Sequence, residues 1–88
     1  MKTQKQVLDL FAKLQKRFIG IRGFVDLRYY TDGDYWDVSL KVTAFNGGKL
    51  MWAAELTWSH GYYHTEADEA ENEAKIEKFI KLIENKIA

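Results

Sequence analysis

No cysteine occurs among the 88 residues. That excludes a disulfide framework and any thiolate metal site, and it suits a reducing, cytoplasmic setting. Long apolar runs are missing as well. The longest span a few residues, far short of the ~20 needed to cross a bilayer. The opening stretch, MKTQKQVLDLFAKLQKRF, is amphipathic and reads as no signal peptide. Neither charge sign is in excess, since 13 Lys and Arg balance 13 Asp and Glu. No global basic field therefore steers the chain toward nucleic acid. A phosphate-cradling glycine pattern is also lacking, because Gly47-Gly48 lies between two strand-like runs and reads as a hairpin. With no linker, repeat or low-complexity stretch, one domain over residues 1–88 with one modest core is expected.

What is present is a clear switch of hydrophobic period. From Lys5 to Ile19, Val7, Leu10, Phe11, Leu14 and Phe18 recur at three- and four-residue steps, predicting a helix with Thr3 as its N-cap. The period then becomes two. FVDLRYY, YWDVSLKVTAF and KLMWAAELTWS each alternate apolar with mostly polar residues, the pattern of strands covered on one face. A second helix is predicted over Glu66–Ile87, with Thr65 and Asp68 as a capping box. Its expected buried stripe comprises Ala67, Ala70, Ala74, Ile76, Phe79, Ile80, Ile83 and Ile87.

Turn chemistry suggests registers. A two-residue turn at Asp32-Gly33 pairs Tyr29 with Trp36, Leu27 with Val38 and Val25 with Leu40, and sets Asp37 against Arg28. A three-residue loop at Asn46–Gly48, with Gly48 in a bulge, pairs Val42 with Trp52, Leu40 with Ala54, Val38 with Leu56 and Trp36 with Trp58. The predicted fold is α+β: a two-layer α-β-β-β-α domain, a three-stranded antiparallel meander with both helices on one face.

Residues that could carry chemistry are few. WSHGYYH, residues 58–64, holds both histidines. His60 and His64 are four apart, but a strand end and Gly61 deny them the helix that would aim both at one metal. Ser59 and His60 are neighbours on a strand and face opposite ways, so they form no nucleophile–base pair. Asp32, Asp34 and Asp37 lack the glycine and bidentate glutamate of a calcium loop. Trp36, Trp52 and Trp58 all fall on the apolar face and read as core. No metal, no cofactor and no catalytic constellation is expected. Phe24, Tyr30, Tyr35, Phe45 and Met51 fall on the opposite face, where exposure would mark a partner surface.

The α-β-β-β-α order resembles the double-stranded RNA-binding domain in topology over nearly the whole chain. That family reads RNA with a basic cluster opening its second helix. The corresponding stretch here is TEADEAENEAK, with five acids before Lys75, which repels phosphate. RNA binding is therefore not carried over. Some members of that family are protein-binding modules, and that comparison fits the charge better.

The expected function is a non-catalytic protein-binding module. Tyr62 and Tyr63 are its candidate anchors, and Glu66, Asp68, Glu69, Glu73 and Glu77 its candidate charged contacts. The expected partner is a protein with a basic, nucleic-acid-handling surface, with no membrane involved. Occupying that surface would make the chain an inhibitor; in size and lack of catalytic groups it is similar to small phage anti-defence proteins. The alternative is a nucleic-acid binder using helix 1, where Lys2, Lys5, Lys13, Lys16, Arg17 and Arg22 gather.

Overall fold

The computed structural model describes residues 1–87. Helix α1 spans Gln4–Phe18, strands β1, β2 and β3 span Gly23–Asp32, Tyr35–Asn46 and Lys49–His60, and helix α2 spans Glu66–Ile87. The strands form one antiparallel sheet in the order β1-β2-β3. Each helix begins where its first-turn N–H groups find acceptors. The Thr3 hydroxyl accepts from the Gln6 N–H, while the Gln6 side chain accepts from the Thr3 N–H. Thr65 and Asp68 do the same for α2.

One cluster forms the core. Val7, Phe11, Leu14 and Phe18 of α1 and Ile76, Phe79 and Ile83 of α2 meet Val38, Leu40, Val42, Leu56 and Trp58 of the sheet. These strand residues share one sheet face, so both helices cover that face and leave the other open. Fully burying a side chain such as Phe11 stabilises the fold by about 1.5–3 kcal/mol. The helices run parallel. Lys2 meets Glu73 near the two N-termini, and Arg17 meets Glu84 near the two C-termini.

Both hairpin registers differ from the sequence expectation by two residues. In the first, Asp32 pairs with Tyr35, and the turn residues are Gly33 and Asp34. Only Gly33 has positive φ, at 61°, the requirement of a type II′ turn rather than of the type that needs two such residues. Leu27 therefore meets Leu40, Tyr29 meets Val38, and Arg28 meets Ser39 rather than Asp37. In the second, Asn46 pairs with Lys49 across Gly47 and Gly48, whose φ values are 59° and 81°. A two-residue turn alone would set the core face of β2 against the wrong face of β3. A bulge between Ala44 and Phe45 corrects the phase, so Ala44 meets Trp52, Leu40 meets Leu56, Val38 meets Trp58 and Trp36 meets His60.

The buried stripe of α2 also differs at its ends. Ala67, Ala70, Ala74 and Ile87 are exposed, while Asn72 is buried with Ile76, Phe79 and Ile83. At 3.6 residues per turn, Ala74 lies about 200° around the axis from Ile76. The alanines make a face of their own, pointing to solvent.

Candidate functional site

The end of the sheet where the β1–β2 turn meets the β3–α2 loop gathers four of the five tyrosines. Tyr30 and Tyr35 lie 6.0 Å apart between ring centroids, and Tyr35 and Tyr62 lie 6.5 Å apart. The Tyr62 hydroxyl donates to the Asp32 carbonyl at 3.2 Å, tying the loop to the turn. The Tyr35 hydroxyl donates to Asp37 at 2.8 Å. That bond, with some burial, holds the Tyr35 phenol above its usual pKa. Tyr63 has no such tie and is 93% exposed. Tyr62 and Tyr63 thus lie together, one braced and one free, at the rim of the open face.

Behind this corner the core is closed by a ring stack. Trp36 and His60 lie face to face at 5.0 Å, and His60 and His64 at 4.0 Å. His64 Nε2 is 2.8 Å from Glu69 Oε1, and the other Glu69 oxygen accepts from the Lys2 N–H at 2.7 Å. Glu69 is therefore tied into the fold by Lys2 and His64. Its side chain is 15% exposed. Burial alone would raise its carboxyl pKa, but the Lys2 N–H and His64 outweigh that and hold it below the usual carboxylate value. Lys2 also caps the Trp58 ring, with its ammonium 5.7 Å from the centroid.

The acidic stripe of α2 is divided by these contacts. Glu66, Glu73, Glu77 and Glu84 lie on the flank turned toward α1, where Lys2 takes Glu73 and Arg17 takes Glu84. Glu71–Lys75 and Glu77–Lys81, each four apart on the helix, are not among the ion pairs formed by the described residues. Asp68 caps its own helix, and the Thr65 N–H and hydroxyl depress its carboxyl pKa. Glu66 and Glu77 remain exposed without such ties. Lys2, just before α1, and Arg17 on it are paired with α2, leaving Lys5, Lys13 and Lys16 of α1 exposed.

At the opposite end of the open face, Phe24 and Phe45 meet edge to face at 5.7 Å, beside exposed Leu50 and Met51. Among the described residues, no group of three or more His, Asp or Glu gathers as a metal would require. No helix is long and apolar enough to cross a membrane. The sequence reading overlooked the contacts of Lys2 with Glu69, Glu73 and Trp58, the role of Asn72, and the ring stack. Asn72 did carry a signal, being in helical phase with Ile76, Phe79 and Ile83. Comparison with protein-family models, curated proteins and solved structures gives no match for this chain.

Proposed function

We propose that this chain is a non-catalytic protein-binding module that docks through its tyrosine corner. The observation that carries this reading is Tyr63, 93% exposed beside a braced Tyr62. Leaving a large ring in water costs solvation that a partner's pocket would recover, and tyrosine is enriched at binding hot spots. Bracing the loop from Asp32 lowers the entropy lost on docking. Glu66 lies next to this loop and Glu77 further along the same helix, giving the surface a negative flank that favours a basic partner. A nucleic-acid-handling protein would present such a surface, and covering it would make this chain an inhibitor. A catalytic role has little support, because Ser59 and His60 sit on opposite sheet faces and the histidine rings are stacked together.

The test is affinity capture from the native host with the wild type, with Tyr62→Ala/Tyr63→Ala, and with Glu66→Lys/Glu77→Lys. A partner retained by the wild type and lost or weakened by both variants supports the reading. A partner captured equally by all three removes it.

A further inference from the structure

We propose that the free edge of β3 between Ala53 and Thr57 takes an extended acidic segment of a partner protein as a fourth strand. The edge is defined by its contrast with the protected positions nearby. In an antiparallel pair, successive residues turn their backbone groups alternately toward and away from the neighbouring strand. Ser59 faces away from β2, because its N–H and its carbonyl both bond to the Asn72 side chain, at 3.4 and 2.9 Å. The register runs unbroken from Trp52 to His60, so Thr57, Glu55 and Ala53 face away as well. On the other edge, Gln15 donates to the Val25 carbonyl at 2.8 Å. Each helix thus lends one amide side chain to an edge strand. Among the described residues, no side chain does this for Ala53, Glu55 or Thr57.

Beside this open stretch runs a groove of about 210 Å³, lined by Glu55, Leu56, Thr57, Lys75, Lys78, Phe79 and Leu82. An added strand would place alternate side chains over it. Phe79 and Leu82 supply an apolar floor. Lys75 and Lys78 supply the charge, and neither belongs to an ion pair among the described residues. The chemistry therefore selects a strand with acidic side chains and one aliphatic side chain on the same face. A second copy of the chain fits poorly. Two-fold pairing centred on the open stretch would oppose Glu55 to Glu55 and bring both lysine pairs to one side, and like charges directly opposite destabilise a sheet.

The probe is a synthetic peptide, Thr-Glu-Thr-Glu-Thr-Ile-Thr-Glu-Thr-Thr, titrated into the full chain. Anisotropy reads binding, and hydrogen exchange reads the amides. The expected result is binding that weakens as salt rises, with slowed exchange at Ala53, Glu55 and Thr57. Binding should fall at least tenfold in Lys75→Glu/Lys78→Glu, whose exposed changes leave the circular dichroism intact. Three results would overturn the proposal. They are equal binding of the peptide with lysine in place of glutamate, protection elsewhere than these amides, and no binding at millimolar peptide. Protection of the same amides without peptide, rising with protein concentration, would assign the edge to self-pairing and overturn it too.

Discussion

Asn72 makes to Ser59 the two hydrogen bonds that a neighbouring strand would make. A helix side chain thereby completes the sheet, and it fixes where α2 crosses β3. The amide is buried in line with Ile76 and Phe79, so its loss would leave two backbone groups without partners in a poorly hydrated place. Asn72→Ala is expected to cost about 1–3 kcal/mol in urea unfolding. A loss below about 0.5 kcal/mol would mean that water or a small helix shift replaces both bonds.

Glu69 should make stability depend on pH in one direction. Its folded pKa lies below its ordinary value of 4.5. Near and below that value the unfolded chain takes up a proton more readily than the folded one. The stability from Glu69 is therefore fully present above about 4.5 and is lost as pH falls through the lowered folded value. Unfolding free energies of the wild type and Glu69→Gln should differ most near neutral pH and converge in acid. A gap that stays constant from pH 7 to pH 3 would show that the contact to Lys2 and His64 does not depend on the carboxylate charge.

Gly23 opens β1 with φ at 147°, and a Cβ there would lie 1.8 Å from the Thr43 carbonyl oxygen. Gly23→Ala should cost at least ~2 kcal/mol, since both the backbone and the adjoining strand must shift. Gly20, a few residues earlier, has nothing within 4 Å of its Cβ position. Gly20→Ala should change stability by no more than about 0.5 kcal/mol. Thermal unfolding of the two variants reads the contrast, and equal losses would contradict it.

The strand faces were legible in the sequence because alternation fixes which residues point together, and both register errors were even. Val38, Leu40 and Leu56 were therefore assigned to the right face with the wrong partners. The registers themselves depend on turn type. Asp32-Gly33 and Gly33-Asp34 differ only in whether one or two residues need positive φ, which residue identities alone leave open. The alanines of α2 misled for a different reason. Their apolar character suggested burial, while their angular position places them opposite Ile76. Tyr62 and Tyr63 were legible as loop residues because they lie between the last strand and the second helix. Glu69 was not, because its role comes from Lys2, 67 residues away. A local charge pattern cannot report such a contact.

The central claim, docking by Tyr63 with acidic steering beside it, is tested most directly by binding kinetics with the captured partner at two salt concentrations. Tyr63→Ala should mainly speed dissociation, because a buried anchor sets the off-rate. Glu66→Lys/Glu77→Lys should slow association, and the effect should shrink as salt shortens the Debye length from about 10 Å to a few ångströms. If Tyr63→Ala leaves dissociation unchanged while changes at Lys5, Lys13 and Lys16 abolish binding, the working surface is α1 and the account is wrong.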